Sequence, residues 1–225
     1  MQSYEIEIKS LLRTKENADQ LKRRLKEKDP QMKLASSHSE LNHYFTLPDT
    51  LDDLYKKIQS HIPDAELPAL QKILTEGKKV SVRTRQARGK VLFVVKASIG
   101  DDTSANGVSR IEFESEVSIG LDELDSLLIS AGLSYQAKWS RDREEYLSGD
   151  THICIDRNAG YGYIAEFERV IDDPSKADKT KSELLNLMDE LEVSELKQDR
   201  LERMFAHYNK HWGEYYGTEK TFIIE

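Results

Sequence analysis

The chain has 225 residues, of which 38% are hydrophobic and 33% are charged, and its formal net charge is −8 at pH 7. This composition allows a sizeable core, and the acidic balance argues against binding nucleic acid or an anionic membrane through the outer surface. The single cysteine, Cys154, excludes an internal disulfide and favours a reducing cytoplasm. Because no apolar run approaches the ~20 residues that span a bilayer and no signal sequence is recognised, we expect a soluble cytoplasmic protein.

The first predicted strand has a pattern that later strands repeat. Side chains alternate between the two faces of a strand, so Tyr4–Lys9 places Glu5, Glu7 and Lys9 on one face and apolar residues on the other. A solvated face of an antiparallel sheet would explain one such strand by itself. The same alternation of apolar and strongly charged residues returns on several later strands, and this repetition favours a functional charged face.

Eight strands and several amphipathic helices are predicted along the chain. The predicted strands are 4–9, 41–47, 80–85, 91–96, 110–117, 134–147, 151–156 and 163–171. The predicted helices are 14–27, a helical insert at about 49–78, 121–131 and two C-terminal helices within about 174–212. Thr14 and Asp173 are typical N-cap residues for the first helix and for the first C-terminal helix. We expect one domain, 1–225, with its strands between about 2 and 171.

The charged strand faces limit how these strands pack together. An eight-stranded barrel has an interior just wide enough for side chains or for one small ligand. If the apolar faces pointed inward, the charged faces would simply make the outside of the barrel soluble. If the charged faces point inward, amphipathic helices must cover the apolar outer faces, and the number of predicted helices favours this arrangement. The expected fold is therefore α+β: an eight-stranded antiparallel β-tunnel, a closed barrel with helices packed outside and a C-terminal helical segment.

Acidic and basic residues form separate groups on these faces. The acids recur as Glu-x-Glu in three strands, at Glu5 and Glu7, Glu112 and Glu114, and Glu166 and Glu168. Paired carboxylates suit hard divalent cations, which need several oxygen ligands. The bases are Lys9, Arg83, Arg85, Lys96, Arg141 and Arg143, and guanidinium groups match phosphate oxygens bidentately. A lattice of structural ion pairs would also satisfy these charges, but separate acidic and basic strips favour a metal–polyphosphate complex.

The ordered set of motifs closely resembles that of the CYTH, or triphosphate tunnel metalloenzyme, superfamily. The hallmark Glu-x-Glu-x-Lys strand of that family is Glu5–Lys9 here, and the resemblance covers about residues 2–171. The later motifs follow in the family's order: Arg83 and Arg85, Lys96, Glu112 and Glu114, Arg141 and Arg143 before Tyr146, Asp156 before Gly160 and Gly162, and Glu166 and Glu168. Arg141 replaces a frequent Lys, and the insert at 49–78 is larger than in the smallest members.

The resemblance implies a triphosphate-binding tunnel that uses Mg²⁺ or Mn²⁺. The implied metal ligands are Glu5, Glu7, Glu112, Glu114, Asp156, Glu166 and Glu168. The implied triphosphate-binding residues are Lys9, Arg83, Arg85, Lys96, Arg141 and Arg143. The catalytic residues are then expected to be Lys9, Glu5 and Glu7.

Similar proteins include inorganic tripolyphosphatases, thiamine triphosphatases, RNA triphosphatases and class IV adenylyl cyclases. We expect a metal-dependent triphosphatase whose partner is a small triphosphate, with inorganic tripolyphosphate ranked first. An adenylyl cyclase would use the same site but would also need a purine pocket, and no such pocket is recognisable in the sequence. A non-catalytic sensor of a phosphorylated ligand is a third reading, which the full set of acidic residues disfavours. Monomer and homodimer both stay open.

Overall fold

A computed structural model describes residues 4–98 and 110–225. Within these ranges the chain forms eight β-strands and six α-helices. The strands are β1 (Tyr4–Arg13), β2 (Lys33–Thr46), β3 (Lys78–Ala87), β4 (Lys90–Ser98), β5 (Arg110–Val117), β6 (Ser134–Ser148), β7 (Thr151–Asn158) and β8 (Gly162–Ile171). The helices are α1 (Lys15–Lys28), α2 (Asp52–Ile58), α3 (Leu67–Glu76), α4 (Leu121–Ser130), α5 (Ala177–Glu190) and α6 (Gln198–Tyr215). No helix in this part of the chain is both long enough and apolar enough to cross a bilayer.

Hydrogen bonds join the strands in the order β1-β8-β7-β6-β2-β3-β4-β5, in one eight-stranded sheet. The α+β class and the eight antiparallel strands are therefore confirmed. Strands β1 and β5 stand at the two ends of this order, so closure of the sheet into a barrel stays a prediction. The chain also divides into two compact units. Unit 1 contains residues 4–38 and 141–225, unit 2 contains residues 39–98 and 110–140, and a single-domain organisation stays a prediction.

In unit 1, helices α1 and α5 cover the apolar face of strands β1, β7 and β8. Ile6 and Ile8 of β1 alternate with half-buried charged residues and are themselves buried. They belong to one core cluster with Ile153 and Phe167 of the sheet, Leu21 and Leu25 of α1, and Leu184 and Met188 of α5. Because neighbouring side chains on a strand point to opposite faces, the charged residues of β1 lie on the face away from these helices.

Unit 2 repeats this arrangement with different helices. Its strands contribute Phe45, Val82, Phe93, Val95 and Phe113 to a second buried cluster. The helices contribute Leu54 and Ile58 from α2, Leu70 and Ile73 from α3, and Leu124 and Leu128 from α4. In each unit, then, helices cover the apolar strand face and leave the charged face on the opposite side, as the alternation predicts.

The two predicted helix caps have different outcomes. Thr14 precedes α1, and its side chain accepts a hydrogen bond from Asn17 N at 3.3 Å, which confirms that N-cap. The prediction for Asp173 is wrong, because α5 begins at Ala177 and residues Pro174–Lys176 form a 3₁₀ turn. The Asp173 carboxylate accepts a hydrogen bond from Ser175 N at 2.9 Å, so it caps the 3₁₀ turn and not α5.

Candidate functional site

The antiparallel register of β1 and β8 brings the first and last Glu-x-Glu motifs together in unit 1. Lys9 lies opposite Glu166, and Glu7 lies opposite Glu168. The Lys9 ammonium donates to Glu166 Oε1 at 2.9 Å and also forms an ion pair with Glu7. Glu5 lies two positions beyond Glu7 on the same face of β1. The hallmark lysine is therefore shared between an acid of its own strand and an acid of the last strand.

A second part of the unit 1 network is built on Asp156 of β7. Arg143 lies opposite Asp156 and binds it bidentately, with Nε to Oδ1 at 2.7 Å and Nη2 to Oδ2 at 2.6 Å. Arg141 Nη1 donates to Asp156 Oδ2 at 3.0 Å, and Arg143 also forms an ion pair with Glu166. Since Asp156 is fully buried, these bonds hold both guanidinium groups in fixed positions.

Burial and neighbouring charge act in opposite directions on these groups. Burial raises the pKa of Asp156 in spite of the arginines around it. Burial also disfavours the charged form of Glu166, but Lys9, Arg143 and Arg141 outweigh it and hold the pKa of Glu166 well below its usual range. Burial raises the pKa of Cys154, which lies opposite Glu166, to about 12. With this pKa, Cys154 is a neutral thiol at pH 7.

Unit 2 contains a comparable set of ion pairs on β3, β4 and β5. Glu112 accepts from Arg83 Nη2 at 3.2 Å and pairs with Lys96 Nζ at 2.8 Å. Glu114 accepts from Arg85 Nη1 at 2.8 Å. Burial would raise the pKa of Glu112, but the nearby Lys96 and Arg83 outweigh burial and lower it. The Arg-x-Arg and Glu-x-Glu motifs of this unit thus meet on one face of the sheet.

Two residues of β2 complete the surroundings of these arginines, and the sequence analysis missed them. Asn42 Oδ1 accepts from Arg85 Nε at 2.9 Å, and the Tyr44 hydroxyl accepts from Arg83 Nη1 at 2.8 Å. The Arg83 guanidinium also lies 5.5 Å from the centroid of the Tyr44 ring. Their positions carry a signal that could have identified them, because Asn42 and Tyr44 share one face of a predicted strand.

A buried polar cluster on the helix-covered face of unit 2 was also missed. Asp125 of α4 is 1% exposed. Its Oδ1 accepts from Thr84 Oγ1 at 2.6 Å, and its Oδ2 lies 2.6 Å from His43 Nδ1 and accepts from the Tyr135 hydroxyl at 2.7 Å. Burial would raise the pKa of Asp125, but these hydrogen bonds outweigh it and lower the pKa. Lys138 Nζ is 3.8 Å from the same carboxylate.

The donor chemistry of the unit 1 face fits a hard divalent cation. Glu7 and Glu168 lie directly opposite each other on β1 and β8, with Glu5 further along. Like charges in that position repel, and a cation held by their oxygens would relieve the repulsion. Across residues 4–98 and 110–225, no three His, Cys, Asp or Glu side chains lie close enough to hold a metal ion. The ligand roles of these residues therefore stay predictions.

Comparisons with known proteins give one family match and several similar folds. The CYTH domain family model matches residues 3–201 of the chain. A solved structure from Pyrococcus horikoshii is similar with a TM-score of 0.61 and 18% identity, over 87% of this chain and 94% of that chain. A Vibrio parahaemolyticus protein described as a candidate adenylate cyclase has a TM-score of 0.59 and 16% identity, over 90% of this chain and 98% of that chain. At these identities the structural similarity shows the fold alone. A comparison with curated proteins found no match.

Proposed function

Because the chain belongs to the CYTH domain family, we propose that it is a divalent-metal-dependent triphosphatase that prefers inorganic tripolyphosphate. The observation that carries this proposal is the set of cations on the charged face of each unit. These cations are Lys9, Arg141 and Arg143 in unit 1 and Arg83, Arg85 and Lys96 in unit 2. The closed tunnel and the substrate-binding roles of these six residues are parts of the same proposal.

Carboxylate partners prepare the cations to bind phosphate. A free Arg or Lys side chain loses rotamer entropy when it binds a ligand, which weakens binding. The bidentate bond to Asp156 already orders Arg143, and the bond to Glu114 already orders Arg85. Each guanidinium has five N–H donors, so further donors are available to phosphate oxygens while these bonds persist.

The acids of the network divide into two groups in this proposal. A divalent ion held by Glu5, Glu7 and Glu168 would neutralise phosphate charge and polarise the attacking water. Both oxygens of Asp156 accept hydrogen bonds from arginines, so Asp156 fixes the guanidinium groups. Lys9 pairs with Glu7 and Glu166, and in this proposal it binds a phosphoryl oxygen as a compact positive charge.

Preference for tripolyphosphate over ATP follows from the chemistry of these faces. Phosphoryl transfer depends mainly on positioning and on electrostatic stabilisation of the phosphoryl oxygens, which cationic side chains supply. A cyclase must in addition orient the ribose against the α-phosphate, and contacts with the base normally support that orientation. The charged faces are rich in groups that bind phosphate, which supports hydrolysis of the phosphate chain.

Product analysis tests the proposal. The protein would be incubated with tripolyphosphate, thiamine triphosphate or ATP, each with Mg²⁺ and with Mn²⁺. We expect phosphate release to be fastest from tripolyphosphate, and we expect ATP to give ADP and phosphate. Cyclic AMP and pyrophosphate as the main products of ATP would make the protein a cyclase. Tight binding of tripolyphosphate without any turnover would make it a sensor.

A further inference from the structure

One cross-strand pair of unit 2 lies on the helix-covered face, and its neighbours along both strands lie on the charged face. His43 of β2 lies directly opposite Thr84 of β3. Both side chains are buried on the helix-covered face. Their neighbours along the two strands point to the charged face, where Arg85 donates to Asn42 and Arg83 donates to Tyr44.

Asp125 binds both members of this pair from the helical side. Its Oδ1 accepts from Thr84 Oγ1 at 2.6 Å, and its Oδ2 lies 2.6 Å from His43 Nδ1. The carboxylate belongs to α4, which packs on the sheet through Leu124 and Leu128. One buried side chain therefore joins a helix to two adjacent strands at a single register position.

We propose that Asp125 is a positioning residue for phosphate binding by Arg83 and Arg85. Thr84 is joined to both arginines by planar peptide units, so a shift of Thr84 along or across the strand moves both arginines with it. When Thr84 and His43 are held at one register position, the positions from which the Arg83 and Arg85 side chains extend from the sheet are therefore fixed as well. The inference rests on the proposed function and adds a residue that does not itself touch the substrate.

The matched variants separate positioning from simple structural support. Thr84→Val removes only the hydroxyl that binds Asp125 and keeps the shape of the side chain, whereas Thr84→Ser keeps the hydroxyl. Tyr135→Phe removes a different hydrogen bond to the same carboxylate without changing β3. Glu123→Gln alters an exposed acid on the same helix as a control for charge.

The measurement is the Kd of tripolyphosphate by calorimetry in EDTA, together with the melting temperature of each variant. We expect Thr84→Val to raise the Kd about tenfold, because misplaced binding groups lose much of their effect. Thr84→Ser should restore the Kd, and Glu123→Gln should leave it unchanged. Tyr135→Phe should lower the melting temperature about as much as Thr84→Val with little change in Kd.

Two results would overturn the inference: a wild-type Kd in Thr84→Val, or an equal rise in Kd in Tyr135→Phe. If Thr84→Val does not fold, Asp125→Asn serves in its place and must raise the Kd in the same way. A wild type that neither binds nor hydrolyses tripolyphosphate removes the proposed function and this inference with it. A wild type that does both, while Thr84→Val binds equally well, removes the inference alone.

Discussion

Units 1 and 2 each carry cationic side chains on a charged strand face, but the acids that bind these cations differ in their exposure to solvent. In unit 1, Arg143 is bound by Asp156, whose side chain is 1% exposed. In unit 2, Arg83 is bound by Glu112, whose side chain is 31% exposed. Breaking the ion pair of a solvent-exposed acid costs little free energy, because water solvates the carboxylate. A buried acid that loses its partner remains as an uncompensated charge, which costs much more. Unit 1 therefore resembles a fixed framework, and unit 2 can exchange partners more easily.

Uncharged hydrogen-bonding side chains add to this difference between the two units. Asn42 and Tyr44 orient the two arginines of unit 2 without neutralising them. In unit 1, Arg141 and Arg143 are both bonded to the same carboxylate of Asp156. The comparison indicates that unit 2 supplies cations for ligand exchange, while unit 1 combines its cations with the carboxylates proposed to hold metal.

The largest expected effect is on stability, and it tests whether unit 1 is the more rigid framework. Arg143→Met removes the bidentate bond to the buried Asp156 and the ion pair with Glu166, and removing one partner of a buried ion pair costs about 3–5 kcal/mol. Arg141 and Lys9 stay bound to these two acids, so we expect a loss at the lower end of that range. Arg83→Met leaves Glu112 paired with Lys96 and should cost about 1 kcal/mol or less. Urea denaturation measures both free energies of unfolding. Equal losses would contradict the contrast between the units.

The next effect concerns the metal role proposed for unit 1. Glu7→Gln keeps the shape of the side chain and removes its charge, so turnover of tripolyphosphate should fall at least ~100-fold. Phosphate release at saturating Mg²⁺ measures the loss, and EDTA should abolish turnover of the wild type. Glu190→Gln, at an exposed acid paired with Lys28, is the control. Full activity of Glu7→Gln, or of the wild type in EDTA, would contradict the metal assignment.

Ligand binding should stabilise the protein and report on the cations of unit 2. At a hundredfold excess over its Kd, a ligand that binds only the folded state adds about 2.7 kcal/mol. Thermal melting in EDTA with tripolyphosphate should therefore shift upward in the wild type and much less in Arg83→Ala. The exposed-surface variant Lys90→Ala should shift like the wild type. Absence of any shift in the wild type would count against a phosphate site.

The smallest expected effect is the loss of stability at acidic pH. The pKa values of Glu112, Asp125 and Glu166 are lowered in the folded protein. Their contribution to the free energy of unfolding is thus fully present above the unfolded-state pKa values near ~4, and it is lost as the pH falls through the lower folded-state pKa values. We expect the free energy of unfolding to fall below pH ~4, and to fall less in Glu112→Gln than in the control Glu116→Gln. Urea denaturation between neutral and acidic pH measures this, and identical profiles would refute the contribution of Glu112.

Much of the candidate site could be predicted because strand alternation is a local property. The residues that share a face with Glu7 or Arg83 follow from a period of two, and the structure places them on the charged faces. Asn42 and Tyr44 could have been found by the same rule. Asp125 could not, because its helix reads as an ordinary amphipathic helix and its carboxylate finds partners only once two strands are in register beneath it.

By itself, the sequence determined the order of the elements, the face of each strand that carries charge, and the family motifs. Only the tertiary structure decided which charges meet. Lys9 and Glu166 are 157 positions apart, and their contact depends on how β1 and β8 are aligned. A shift of two residues in that alignment would keep the charged faces of both strands on the same side but would give Lys9 a different partner, so local alternation is equally compatible with both alignments. In the observed register Ile6, Ile8 and Phe167 are buried together against the helices, and this packing, which depends on residues far apart in the chain, is what local alternation does not specify.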